Sequence, residues 1–340
     1  MKLISFATKL LHFFPAEISH HIALNGLNLL YRLGLLKFLV DKNNGSRVEA
    51  KDMEQIRRVI PSIKNRIGIA AGLDKNGEYI DCLGFLGIGF IEVGTVTPRP
   101  QSGNLKPRLF RNTDDNSILN RLGFNNKGVE KLVIKLRKRK SKVIVGVSVG
   151  KNFDTPNYLA YKDYSECIEK VYEFSDYLAI NISSPNTKDL RELSSRSYLD
   201  SLLGRLKEVQ MRLSSEHGYK PLFLKISPDE SSNTLKEICE SILANDIDGI
   251  ICTNTTTNHN NDNGEGGISG TPLMDRSTEV LCLVRDIIGE KIPLIASGGV
   301  MSASDFNKKI ESGASLVQIY TGFIFKGPKL IKDILERGTF

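Results

Sequence analysis

Apolar residues open the chain at helical spacing. Leu3, Phe6, Ala7, Leu10, Leu11 and Phe14 fall at i, i+3, i+4 and i+7 intervals, the stripe of one helix face. Pro15 ends that run, because its ring clashes with the preceding turn and its nitrogen has no hydrogen to donate. A second helical run extends from Glu17 to Leu33 and includes Ile18, Ile22, Leu27, Leu30 and Tyr31. It passes into the apolar stretch LGLLKFLV at 33–40. Asn43-Asn44-Gly45-Ser46 then reads as a linker.

Beyond the linker, short apolar runs alternate with helical stretches. Strands are predicted at 67–71, 90–95, 143–149, 177–182, 222–226, 249–253, 293–297 and 316–320. Helical periodicity lies between most of them, as at 129–139, 198–213, 234–243 and 278–288. Strands that alternate with helices build parallel βαβ units. Eight such units predict a closed α/β structure, a (β/α)8 TIM barrel. The rival is an open Rossmann-type sheet, which calls for G-x-G-x-x-G after the first strand; that turn reads AAGLDKNG. Two regions follow: an N-terminal helical extension at 1–42 and a catalytic barrel at 47–340.

Composition changes this picture little. A chain of 340 residues holds one such barrel plus an extension. Five cysteines, without a C-x-x-C pair, read as free thiols and not as a zinc site. The net charge is +7, and part of the excess lies in KLRKRKSK at 135–142. That run reads as a solvated helix end, since basic side chains suit helix C-termini. No interleaved aromatics or nucleic-acid motif accompany it, so no nucleic-acid partner is expected. No apolar stretch reaches the roughly 18 uncharged residues of a membrane span. Lys9 interrupts the first apolar region too early for a secretory signal.

In a barrel of this kind the chemistry sits at the C-terminal ends of the strands. Those ends are unusually polar here. The first ends in AAGLDK at 70–75, the second in Gly94-Thr95, the third in SVGKN at 148–152 and the fourth in NISSPN at 181–186. Lys225 closes the fifth and Thr253-Asn254-Thr255-Thr256 the sixth. Ser297-Gly298-Gly299 and Tyr320-Thr321-Gly322 close the last two. Glycine turns after strands seven and eight commonly bind phosphate through backbone N–H groups. Asn120, Asn125, Asn181, Asn186 and Asn254 each offer a donor and an acceptor, which suits a flat cyclic amide or imide. Alone, each asparagine reads as a turn residue; clustering at one end of the barrel is what points to a ligand. Lys75 suits a carboxylate, and Lys225 an electron-rich ring that gains negative charge. No histidine lies at a predicted strand end, so no metal site is expected and a metal hydrolase is disfavoured.

AAGLDKNG at 70–77, NRLGFNN at 120–126, INISSPNT at 180–187, TNTT at 253–256 and GASLVQIYTGFIFKGP at 313–328 together resemble the dihydroorotate dehydrogenase family. The resemblance implies oxidation of dihydroorotate to orotate in pyrimidine synthesis, with FMN as cofactor. It implies FMN contacts from Ala71, Gly72, Leu73, Asp74, Lys75, Thr95, Asn181, Lys225, Thr253, Gly270, Gly299, Tyr320 and Thr321. Ser148 stands at a further flavin position where the family commonly has asparagine, a longer side chain. Orotate contacts are implied for Lys75, Asn120, Arg121, Leu122, Gly123, Phe124, Asn181, Asn186, Asn254 and Thr255.

Ser184 occupies the family's catalytic-base position, where the soluble fumarate- or NAD-linked relatives resemble one another in carrying cysteine. With the N-terminal helices, this is similar to the membrane-associated, quinone-reducing class. That class implies a membrane quinone as acceptor and peripheral lipid contact on the cytoplasmic side of the cell membrane. By the same resemblance His20 and Arg111 line a quinone passage, with His21 a close rival for His20. Three other readings stay open: a soluble dihydroorotate dehydrogenase, a flavin barrel such as a dihydrouridine synthase acting on tRNA, and a non-catalytic phosphate-binding barrel.

Overall fold

The computed structural model describes residue 11 and residues 13–38, 53–187 and 189–339. Leu3, Phe6, Ala7 and Leu10, the linker at 43–46 and the boundary at 42 and 47 lie outside the described residues.

All eight predicted strands form, and they close into one parallel barrel. They are β1 (Ile67–Ile69), β2 (Phe90–Val96), β5 (Ile144–Val149), β6 (Tyr177–Asn181), β7 (Leu222–Ile226), β8 (Gly249–Cys252), β10 (Leu294–Ser297) and β11 (Leu316–Ile319). β3 (Leu109–Asn112), β4 (Ser117–Asn120) and β9 (Gly267–Gly270) lie outside the barrel as a small antiparallel sheet. The barrel strands are buried along their whole length, as expected when helices cover a parallel sheet.

Alternate residues of each strand point into the barrel. The lower inward layer is apolar: Phe90, Ile144, Tyr177, Ala179, Phe223, Ile251, Ile295 and Leu316 pack with Met53, Ile56, Ile60 and Ile63 in one buried cluster. The short helix Glu54–Val59 contributes Ile56 to this cluster. Gly146 and Gly249 make room for the rings of Tyr177 and Phe223, which a Cβ at either position would overlap. Two residues further along the same strands the inward side chains turn polar. Glu92 follows Phe90, Asn181 follows Ala179, Lys225 follows Phe223, Ser297 follows Ile295 and Gln318 follows Leu316. A dry floor thus carries a polar layer directly above it.

The antiparallel sheet was not foreseen. Its strands have four residues each, and those of β3 are half-buried, so they hold too little alternation to register as strands. In its register Asn120 stands opposite Gly267.

The predicted run at 17–33 is the helix Ala16–Arg32, with Pro15 as its N-cap residue. Ala16, Ser19 and Leu24 are buried, whereas Ile18, Ile22, Leu29 and Leu33 are exposed beside Phe13, Phe14, Leu35 and Phe38. Arg108 pairs with Glu17 at 2.8 Å, and Tyr79 donates its hydroxyl to Asn25 at 2.9 Å. These bonds fasten the helix to the barrel. No described helix is long and apolar enough to cross a membrane. The first half of the basic run, residues 135–138, forms the last turn of the helix Val129–Lys138, and residues 139–142 lie beyond it.

Candidate active site

A cavity of about 920 Å³, solvent at its mouth included, opens at the C-terminal ends of the barrel strands. The small antiparallel sheet contributes Asn120 and Gly270 to its wall. Most residues singled out from the sequence converge on it. Ala71, Gly72, Lys75, Thr95, Asn181, Lys225, Thr253, Gly270, Gly299, Tyr320 and Thr321 line it. So do Asn120, Leu122, Gly123, Phe124, Ser184, Asn186, Asn254 and Thr255.

At one end the wall is main chain. A Cβ on Gly299 would run into the Met274 backbone, and one on Gly270 into the Asn116 carbonyl. Both glycines have positive φ, +81° and +99°, where other residues are strained. At the floor, Lys225 is nearly fully buried and its ammonium lies 4.0 Å from a Glu92 carboxylate oxygen. Burial lowers the Lys225 pKa, and Glu92 works in the opposite direction.

The amides form a connected set. Asn181 donates to the Thr95 hydroxyl at 2.9 Å and accepts from the Ser183 amide at 3.2 Å. Asn254 donates to the Ser183 hydroxyl at 3.1 Å, and its carbonyl accepts from the Thr255 amide at 2.8 Å. Asn120 donates to the Gly267 carbonyl at 3.0 Å. Side chains held this way present fixed donors and acceptors to whatever enters. Ser184 is buried on the same wall, and its hydroxyl oxygen accepts the Asn186 amide at 3.3 Å. Lys75 donates to the Asn125 side-chain carbonyl. Burial, followed by the nearby Arg108 charge, pulls the Lys75 pKa down to about 7.

Four predicted contacts lie off this cavity. Ser148 sits behind Thr95, and the two hydroxyls hydrogen-bond at 2.8 Å. Asp74 faces away and accepts from the Glu78 and Tyr79 amides at 2.8 and 2.7 Å. Leu73 lines the neighbouring cavities instead. Arg121 reaches outward to the carbonyls of Asn263 and Glu265 and stacks on Phe110.

Two further cavities continue from the first. A small one of about 550 Å³ shares Gly72, Lys75, Leu122 and Tyr320 with it and adds His20 and His21. An apolar one of about 1360 Å³ under the Ala16–Arg32 helix shares His20 and Leu73 with the small one. Arg111 also lines this apolar cavity, and His21 does not. Burial, then the positive charge of Lys75, pulls the His20 pKa down to about 4, so its ring is neutral at pH 7.

Sequence reasoning missed Gln318, Ser269 and Leu273, which also line the first cavity. Gln318 carried a signal: a lone polar residue inside the apolar strand LVQI. Among the described residues no group of His, Cys, Asp or Glu side chains is arranged to hold a metal.

The family model for dihydroorotate dehydrogenase matches residues 59–337. A protein of Azoarcus sp. (strain BH72) named dihydroorotate dehydrogenase (quinone) is 44% identical, over 98% of each chain. One of the same name from Vibrio parahaemolyticus is 50% identical, over 81% of this chain and 84% of its own. The crystal structure of DHODH from Eimeria tenella in complex with ferulenol superposes with a TM-score of 0.82 at 32% identity, covering 94% of this chain and 90% of that one. The match spans the barrel, the antiparallel sheet and every strand end that lines the cavity: the chain belongs to the dihydroorotate dehydrogenase family.

Proposed function

We propose that the chain oxidises dihydroorotate to orotate with FMN as its cofactor and delivers the electrons to a membrane quinone. The observation that carries this reading is the series of three cavities. A polar site at the strand ends leads past Lys75 and His20 into an apolar space beneath the N-terminal helix. A polar substrate and an apolar acceptor thus have separate approaches to one centre.

The residues present fit FMN. Gly270 and Gly299 line the cavity with main chain and no side chain, as a phosphate bound by backbone N–H groups needs. Lys225 places a buried ammonium at the floor, and the Gln318 side-chain carbonyl beside it makes no hydrogen bond. When bound, FMN supplies the ring that accepts a hydride from C6 of the substrate.

The chain's own groups perform the rest. Lys75 meets the substrate carboxylate, and Asn120, Asn186 and Asn254 bind the amide edges of the ring. Ser184 takes the C5 proton through its hydroxyl oxygen while its own hydroxyl proton passes to water. A serine base has a high intrinsic pKa, so its placement near the reacting carbon has to supply much of the rate. The neutral His20 and Arg111 stand along the quinone approach. Thr95, Asn181, Thr253, Tyr320 and Thr321 complete the FMN pocket, and Ser148 acts through Thr95.

Residues 1–42 form the membrane-contact segment in this reading, and the barrel begins near residue 47. The exposed side chains of Ile18, Ile22, Leu29 and Leu33 would enter the lipid interface on the cytoplasmic side. Acceptor assays test the class: reduced enzyme should be reoxidised by a quinone, and not by fumarate or NAD. Reoxidation by fumarate or NAD alone would place the chain with the soluble enzymes.

A further inference from the structure

The inward faces of β2, β7 and β11 bring an acid, a base and an amide together just above the apolar floor. Glu92 is fully buried, and Lys225 and Gln318 nearly so. One Glu92 oxygen, Oε2, accepts the Tyr177 hydroxyl at 3.1 Å and the Gln318 amide at 2.8 Å. The other, Oε1, has no hydrogen-bond partner and faces the Lys225 ammonium at 4.0 Å. Tyr177 is itself wedged between Phe90 and Phe223, with ring centroids 6.4 and 5.4 Å away. The carboxylate therefore cannot swing away from Lys225 without breaking two hydrogen bonds in a packed core.

A buried amine without an opposite charge nearby tends to shed its proton, because burial penalises the charged form. Glu92 is the opposite charge facing Lys225, and it works against burial in holding the proton. The neighbours of Lys225 at the same level on β6 and β8, Asn181 and Ile251, carry no charge. Tyr177 reaches Glu92 and not Lys225.

We propose that Glu92 is a positioning residue that keeps Lys225 protonated and aimed into the cavity, and so sets the reduction potential of the bound flavin. Glu92 and Lys225 form a dipole with its positive end toward the cavity, because Lys225 lines the cavity and Glu92 does not. A reduced flavin ring gains negative charge, so the ammonium favours the reduced form. Removing the Glu92 charge leaves the amine alone in the floor. It sheds its proton, and the bias toward the reduced ring goes with it. The inference rests on the FMN reading above.

The test uses the full chain loaded with FMN. In Glu92→Gln the midpoint potential at pH 8 should fall. A tenfold loss in preference for reduced over oxidised FMN corresponds to about 30 mV for a two-electron couple. Glu92→Asp retains the charge and should return the potential toward the parent value. An unchanged or higher potential in Glu92→Gln overturns the proposal; a higher one means that Lys225 kept its charge without Glu92. A second measurement needs no Glu92 variant. The ¹³Cε NMR signal of Lys225 in the parent apoprotein, assigned by its loss in Lys225→Arg, should be that of an ammonium at pH 8, the pH of the potential measurement. An amine signal at that pH would overturn the proposal. If the parent binds no FMN, the cofactor reading fails, while the NMR signal still decides whether Glu92 holds the charge on Lys225.

Discussion

Asn186 donates its side-chain amide to the Asn120 carbonyl at 3.0 Å. That bond ties the loop that follows β6, which carries Ser184, to the antiparallel sheet. The segment that carries Ser184 and the Asn120 and Asn186 amides are therefore tied together before any ligand enters. For Ser184→Ala, flavin reduction by dihydroorotate should slow by at least about a hundredfold, the usual scale of general-base loss. FMN content should barely change. Anaerobic stopped-flow decides this, and an unchanged bleaching rate removes Ser184 from the mechanism.

Lys75 gives the site a pH signature. Its pKa lies near 7 in the free protein because it is buried close to Arg108. It is charged below that pH and neutral above it. Orotate affinity should therefore fall as pH rises through about 7, by up to tenfold per unit, until the bound carboxylate has drawn the lysine's pKa upward. Lys75→Ala should lose about 1.5–3 kcal/mol of orotate binding and flatten the profile. Orotate titrations from acid to alkaline pH measure both. A parent affinity that rises across that range contradicts the assignment.

Glu17 anchors the N-terminal helix. Burial tends to raise its pKa, but Arg108 and Lys106 outweigh burial and hold the carboxyl below its usual range. A depressed carboxyl stabilises the fold above its unfolded-state pKa, and that contribution is lost as pH falls through the folded value. Glu17→Gln should cost about 1–3 kcal/mol, since Arg108 is left buried without its partner charge. Denaturation at pH 7 and at acid pH tests this. The difference between parent and variant should shrink on acidification.

Deleting residues 1–40 should separate the two half-reactions. The cavity residues begin at Ala70, so dihydroorotate should still bleach the flavin. Reoxidation by a long-chain quinone in vesicles should drop sharply, while a small soluble dye continues to accept electrons. Vesicle flotation of both forms reports docking directly. A truncated chain that floats and turns over long-chain quinone like the parent would reduce these helices to a cap.

The barrel was legible because its strands are continuous apolar runs with polar ends, a pattern local to each segment. Predicted strands ran up to two residues too long at Ala70-Ala71 and one at Tyr320, where the chain leaves the sheet to line the cavity. The antiparallel sheet escaped because the pairing of Asn120 with Gly267 joins residues far apart in sequence, and no local period records it. Ser148, Asp74 and Arg121 sit beside true cavity residues in the motifs, but side-chain direction turns them elsewhere. Glu92 was visible as the lone charged residue in FIEVGTV, and Gln318 as the lone polar residue in LVQI. Their meaning depended on knowing which face of each strand points inward.

In the proposed function one cavity joins a dihydroorotate site to FMN. Anaerobic addition of dihydroorotate to the purified, FMN-loaded chain probes that junction. The visible flavin absorbance should bleach, and orotate should form in equal amount. A flavin spectrum that stays oxidised in the presence of excess dihydroorotate would contradict the proposed function.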